Sequence, residues 1–344
     1  MALLRTLKAV VLMPIWILQL ATTSKSFLDH PLIGSLRLNR MGLHRARVKI
    51  ADALCLWRRR RLARHVPAEW REAFDRDGFV AVKDIAPAED FPALRNALLG
   101  SEWEAREMRQ GDAITRRIAI DGPMMDAVPE LKRLLERRDV NALFHYVASY
   151  RTTPLHYIQT IVSKSGENEG PDPQETVHAD SFHSSMKAWL FLRPVSIEDG
   201  PFTYVRGSHR FTPERIDWEY NRSLRDPKAI DRLSARGSPR IDDAGLAELS
   251  LDPAEALEVA ENTLVVADTG GFHARGPAQR PGERVEIWSY ARRNPFLPWL
   301  GGDLLSLPGI AERRIGWLWA LRDRLKDQIG QPWAPVGKRR PVDE

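Results

Sequence analysis

The stretch TVHADSFHSS, residues 176–185, places His178, Asp180 and His183 within six positions. Residues i and i+2 of an extended strand point to the same face. The His178 imidazole and the Asp180 carboxylate can therefore hold one metal ion between them. A polar strand end that hydrogen-bonds to itself is the competing reading of the same pair. A two-histidine, one-carboxylate site needs one more imidazole from a neighbouring strand and leaves three adjacent coordination positions open. Of the nine histidines in the chain, His273 stands out: it follows a predicted strand, Thr263–Asp268, and a glycine turn in DTGGFHARGP. Arg284 lies eleven residues further on, at the start of the next predicted strand. His183 has the opposite strand parity to Asp180 and is expected to be structural or to support the site from behind. His209, in GSHR, is expected to be structural.

Elements must bring these residues together. From about residue 154 the periodicity is strand-like, in LHYIQTIVSK, MKAWLFLRPV, FTYVRG, NTLVVAD and RVEIWSYAR. Turn signals such as Asp199-Gly200 and Pro281-Gly282 separate these runs. Short strands without intervening crossover helices predict a mainly β fold with flanking helices, built on a double-stranded β-helix (jelly-roll, cupin-like) core. In such a core the interval from His273 to Arg284 can carry the chain round a turn into an adjacent antiparallel strand, with both side chains at the barrel mouth. Upstream, PAEWREAFDRDGFVAVKDI reads as a helix, a turn at Asp77-Gly78 and a strand over Phe79–Val82, followed by a helix in FPALRNALLG ended by Gly100. Residues 211–258 are charged and irregular with some helical character and read as an insertion. GIAERRIGWLWALRDRLKDQIG, from 309, reads as an amphipathic helix carrying Trp317 and Trp319. The expected organisation is a basic extension over 1–65, the jelly roll over 66–300, and a helical tail over 301–344.

The pattern His178-x-Asp180, then EDGPFTYVRGSH, DTGGFHARGP and Arg284, resembles the phytanoyl-CoA dioxygenase family of Fe(II)- and 2-oxoglutarate-dependent oxygenases. FDRDGFVAVKDIAPAEDFPALRNALL is similar to the helix–strand–helix with which that family begins, so the resemblance covers roughly 66–296. It implies that His178, Asp180 and His273 are the iron ligands, with 2-oxoglutarate and O2 as cosubstrates. It implies that Arg284 grips the distal carboxylate of 2-oxoglutarate, a task that suits a planar guanidinium. Trp189 would line the cofactor pocket, Gln159 or Thr160 would supply a further contact, and Arg116 or Arg117 could do the same. Arg206 stands where the family usually has proline. Arg275 stands where the family is often small or polar; it could alter cofactor grip or meet an anionic substrate. Retention of Asp180 implies hydroxylation or another oxidation rather than halogenation. The implied reaction is hydroxylation of an aliphatic C–H in a small or lipid-like substrate, with release of succinate and CO2. A hydrolase using the same three ligands would have no use for Arg284, and no GxSxG-type nucleophile signature is present. The alternative is a non-catalytic barrel that docks to a membrane or partner through its basic front end.

Composition bounds these readings. Hydrophobic residues make up 43% and charged residues 28% of the 344, which suits a folded protein with a core. The single cysteine, Cys55, excludes an internal disulfide framework and a cysteine-built zinc site, and leans towards a reducing, cytoplasmic setting. Residues 1–65 carry thirteen Lys and Arg against two acids, a net +11, so the remainder sums to −6 in a chain of net +5. That distribution argues against nucleic-acid binding by the main body. AVVLMPIWILQLA, residues 9–21, is too short to span a bilayer and contains Pro14. It can be a surface anchor beside basic residues, a helix packed on the domain, or a signal peptide. LHRARVKIADALCLWRRRRLAR, residues 43–64, reads as a basic helix with Leu43, Ile50, Leu54 and Trp57 on one side and arginines around the rest. Such a helix is either solvated or turned to an anionic membrane surface.

Overall fold

The computed structural model describes residues 2–163, 170 and 172–342, with side chains from residue 10 onwards. Lys164, the last residue of the LHYIQTIVSK run, lies outside them. Eleven strands occur among the described residues: β1 Phe79–Val82, β2 Trp103–Gln110, β3 Ala113–Ala119, β4 Leu155–Ser163, β5 Met186–Phe191, β6 Phe202–Tyr204, β7 Glu255–Ala256, β8 Leu264–Asp268, β9 His273–Arg275, β10 Gly282–Ala291 and β11 Ala334–Arg339. They form an eight-stranded sheet in the order β1-β8-β5-β10-β4-β3-β2-β11, and a three-stranded sheet in the order β7-β6-β9. Neighbouring strands pair antiparallel throughout. This is a jelly-roll core.

The strand composition follows from what each face meets. One face of the large sheet, with Ile158, Leu190, Val266 and Ile287, packs on helices carrying Leu94, Leu98, Leu143 and Val147. The other face meets the small sheet through aromatic side chains: Trp189 and Phe202 have ring centroids 4.3 Å apart, and Phe79 and Tyr204 5.4 Å. With both faces covered, β8 is buried along its whole length and reads as an apolar run, Leu264–Ala267, closed by Asp268. Register then aligns the polar residues of the inner face. In β10, Glu286 stands opposite Gln159, Trp288 opposite Trp189, and Tyr290 opposite Lys187.

Two expectations change. The turn after His273 does not lead into an adjacent antiparallel strand. β9 lies in the small sheet and β10 in the large one, so His273 and Arg284 face each other across the space between sheets rather than along one ladder. The second change concerns the front end. Its helices are α1 Ala2–Leu20, α2 Leu36–Arg40 and α3 Leu43–Leu62. On α3 the residues chosen as its apolar side divide: Ile50 is 51% and Trp57 38% exposed, Leu43 and Leu54 are half-buried, while Arg47, Arg58 and Arg59 are buried. Backbone carbonyls hold the guanidiniums of Arg58 and Arg59. Arg58 bonds to Ser149, Pro295 and Leu297; Arg59 bonds to Tyr146 and Val147. Fully bonded planar cations can be buried where unpaired ones cannot. α1 exposes Val10, Val11, Ile15, Ile17 and Leu18, yet no helix among the described residues is long and apolar enough to cross a membrane. Residues 211–258 contain the helices Pro213–Ser223, Arg232–Ala235 and Asp243–Glu248. Near the C-terminus, the helix Arg314–Arg324 sets Trp319 6.0 Å from Tyr157 and leaves Trp317 exposed.

Candidate metal centre

His178 and Asp180 belong to a loop that touches the small sheet rather than to a regular strand. His178 is bridged to His273: its N–H donates to the His273 carbonyl (2.9 Å), and its carbonyl accepts from the His273 N–H (2.8 Å). That narrow pair sets the two imidazole centroids 4.6 Å apart. Asp180 N–H donates to Thr269 O at 2.8 Å, tying the carboxylate to the turn that carries His273. The turn has no room for a side chain at Gly270 or Gly271. A Cβ on Gly271 would stand 2.1 Å from Tyr204 Oη, itself donating to Asp268 O at 2.7 Å. Arg59, from α3, pairs with Asp268 at 2.7 Å and fixes the base of that turn; Asp268 also accepts from the Ser185 and Gly270 N–H groups.

The ring nitrogens are committed in a way that suits a metal. His178 Nδ1 lies 2.8 Å from Thr176 O, and His273 Nδ1 lies 3.1 Å from Gly271 O. A carbonyl only accepts, so both Nδ1 atoms carry the proton and both Nε2 atoms present bare lone pairs. Each Nε2 is 3.9 Å from Asp180 Oδ1. The three ligand atoms lie within 4.8 Å of one another, close enough to share one ion. Burial holds the His178 imidazole well below its usual range, with His273 adding to the effect; burial lowers His273 to about 4 against the pull of Asp180. Burial alone would raise Asp180, but Lys187 and the two imidazoles outweigh it and keep the carboxylate ionised. Two neutral imidazoles and one carboxylate are a donor set that fits Fe(II).

Around these ligands is a cavity of about 380 Å³, lined by Gln159, Trp189, Arg275 and Arg284 as well as the triad. Trp189 forms one wall. Gln159 bridges two charged neighbours, accepting from Arg117 Nε at 3.0 Å and donating to Glu286 at 2.9 Å. Arg284 donates to Glu286 through Nε (3.2 Å) and to Gly200 O through Nη1. Arg275 is bound to Asp172. Thr160 is not part of the cavity. It neighbours Gln159 on β4 and so faces the opposite side, where its hydroxyl donates to Pro341 O at 2.6 Å. The same parity separates Arg117, in the cavity and 4.0 Å from the Trp288 ring, from Arg116, paired with Glu107. His183 is buried behind the site and bonds Ser184 O; His209 packs against Phe74. Arg206 lies outside, paired with Asp77 and Glu255.

Sequence reasoning missed several residues here. Lys187 Nζ lies 2.7 Å from Asp180 Oδ2. Lys187 and Trp189 share a strand face, and so do Glu286 and Arg284; that parity was a usable signal. Lys25 gave none. It arrives from the front end, donates through Nζ to Asp180 O and lines the cavity. Burial lowers Lys25 to about 8.

The family model described as phytanoyl-CoA dioxygenase (PhyH) matches residues 74–253, just over half of the chain. The chain belongs to the phytanoyl-CoA dioxygenase family. Its cofactor and cosubstrates are accordingly Fe(II), 2-oxoglutarate and O2. The matched span holds His178 and Asp180; His273 and Arg284 lie beyond it. No curated protein matches the chain. Among solved structures it is similar to the non-haem α-ketoglutarate-dependent epimerase SnoN from nogalamycin biosynthesis (18% identity, 70% of this chain, 91% of that one, TM-score 0.39). It is also similar to HygX from Streptomyces hygroscopicus with nickel and 2-oxoglutarate bound (16%, 66%, 87%, 0.43), and to the carbocyclase SnoK (18%, 66%, 84%, 0.41).

Proposed function

We propose that this member of the phytanoyl-CoA dioxygenase family hydroxylates an aliphatic C–H bond of a small or lipid-like substrate. The observation that carries the reading is the convergence of two bare Nε2 atoms and Asp180 Oδ1 in a cavity whose far end is built from arginines. When bound, iron with 2-oxoglutarate and O2 supplies the oxidation, one oxygen atom ending in succinate and the other in the product hydroxyl, with loss of CO2.

The chain's own residues position and shield that chemistry. His178, Asp180 and His273 would hold the iron from one side and leave the opposite side to cosubstrate and O2. Lys187 holds the outer carboxylate oxygen of Asp180, so that Oδ1 stays turned to the imidazoles. Arg284 would receive the distal carboxylate of 2-oxoglutarate through Nη2, since Nε and Nη1 are already engaged by Glu286 and Gly200. Gln159 steadies that end by tying Glu286 to Arg117. Trp189 and Phe202, stacked beside His273, keep water from the reacting face.

Anaerobic titration with Fe(II) and 2-oxoglutarate tests the reading. The weak visible metal-to-ligand band is expected in the parent protein and absent from His178→Ala. Succinate release is then screened against candidate substrates. A protein that binds zinc tightly, shows no band and forms no succinate would be a hydrolase or a docking barrel instead.

The exposed apolar side of α1, together with exposed Arg37, Arg40, Lys49, Arg60 and Arg61, supports a second surface reading: peripheral contact with an anionic bilayer. The test is liposome flotation of the full chain against a Val11→Glu/Leu18→Glu variant, both at exposed positions. Equal partition would remove this reading.

A further inference from the structure

Six cationic side chains line the metal cavity: Lys25, Arg117, Lys187, Arg275, Arg284 and Arg292. Among the described residues one carboxylate, Asp180, lines it with them. Four of the six are committed. Arg284 is bound to Glu286, Arg275 to Asp172, Arg117 to Gln159 and Lys187 to Asp180. Lys25 and Arg292 are different. The Lys25 ammonium bonds a backbone carbonyl, and Arg292 makes no hydrogen bond or ion pair among the described residues. The two are close enough to repel each other. They stand at the opposite end of the cavity from the proposed 2-oxoglutarate pocket, since Arg292 follows Arg284 by eight residues, roughly 26 Å of extended chain.

Lys25 is not a stray surface residue. Arg47 donates to the carbonyls of Leu20, Thr22 and Ser24, and the N–H groups of Phe27 and Leu28 donate to Ala235 O. Gly237 packs so closely on this segment that a Cβ there would stand 2.3 Å from Lys25 O. The strap is built to deliver one ammonium group. Beside it lies a second chamber of about 560 Å³, with Leu155, Leu297, Trp317, Leu318 and Leu321 in its lining. Tyr290 and Arg292 line both spaces. Two neighbouring cations, neither in an ion pair among the described residues, stand at the junction of a metal cavity and a largely apolar chamber that also carries Asp303, Arg293 and Arg314, an arrangement that suits an anionic group carried on a hydrocarbon.

We propose that Lys25 and Arg292 form a substrate-anchoring subsite for a carboxylate or phosphate group, with the attached apolar chain in the adjoining chamber. This rests on the reading of His178, Asp180 and His273 as the iron site and adds the class of substrate. The anchor comes from outside the span matched by the family model.

Calorimetric titration of the full chain with octyl phosphate, octanoate and 1-octanol tests it, with inorganic phosphate as the chainless control. The better anion is expected to bind at least about tenfold more tightly than octanol, the value of one charge-assisted contact; its identity tells phosphate from carboxylate. Arg292→Gln, at an exposed position, should cost the anion about tenfold and leave octanol unchanged, and Lys25→Gln should do the same. Leu318→Asp should weaken octyl phosphate and spare inorganic phosphate. Equal binding of octanol and the anions, no binding of any octyl compound, or an unchanged Arg292→Gln variant would overturn the subsite. The Fe(II)/2-oxoglutarate band is read in parallel. If it is missing while octyl phosphate still binds through Arg292, the oxygenase reading fails and the subsite stands.

Discussion

Lys187 Nζ sits against Asp180 Oδ2 and leaves Oδ1 to the imidazoles. Lys187→Met removes that hold, and support of this kind is worth about 10–100-fold in metal affinity. We expect a Co(II) titration of Lys187→Met to show a loss in that range with the far-ultraviolet circular dichroism unchanged; an unchanged affinity would mean that Asp180 is fixed by its backbone alone. Gly271→Ala acts on the third ligand. Its methyl group would enter the space of Tyr204 Oη, and overpacking of a tight site costs about 1–3 kcal/mol. Denaturant unfolding should show that loss, together with weaker metal binding. The triad was legible because its three members sit beside turn signals at spacings a jelly roll can close. Arg284 was legible as a cavity residue, but its bond to Glu286 was not. Thr160 was misplaced although strand parity already set it against Gln159. Lys187 could have been found from the strand face it shares with Trp189, whereas Lys25 was invisible, because a lone lysine in a polar stretch looks like surface until the fold closes over it.

Elements show where periodicity misleads. α3 turns Arg47, Arg58 and Arg59 inward because backbone carbonyls and Asp268 wait for them, and its own sequence holds no sign of those partners. Removing one member of a buried ion pair leaves the other stranded, at about 3–5 kcal/mol. Arg59→Ala should lose that much in urea unfolding, whereas Trp57→Ala on the exposed side should change stability by less than about 0.5 kcal/mol. Asp52, also on α3, gives the helix a pH signature. Burial raises its carboxyl to about 6, opposed by Arg59 and assisted by Asp268. Between its ordinary value and about 6, the folded chain therefore holds a proton that the unfolded chain has released, and stability falls as pH rises through that window. Asp52→Asn should gain thermal stability over the parent at pH 7–8 and little at pH 4; a pH-independent difference would exclude this cause. Strands β2 and β11 were missed for a related reason. WEAREMRQ and APVGKR are the last two strands at one end of the large sheet, half-buried or exposed but for Ala105, and carry no sustained apolar alternation.

Across the whole molecule, the fold class was legible from the count and spacing of strands, but the crossing from β9 to β10 between sheets was not. Alternation reports which face a residue occupies and says nothing about which sheet owns the strand. The metal ligands lie on the small-sheet side of that crossing and Arg284 on the large-sheet side, so loading the site with metal and 2-oxoglutarate should brace both sheets. Binding at a hundredfold excess over Kd adds about 2.7 kcal/mol. Anaerobic Fe(II) with 2-oxoglutarate should raise the Tm of the parent by several degrees and leave that of His273→Ala nearly unmoved. The strap through Lys25 carries no ligand and belongs to neither sheet. Its sequence could be exchanged between descendants of this gene while oxidation itself continued, so new substrates could be acquired at the front of the chain without relearning how to handle oxygen.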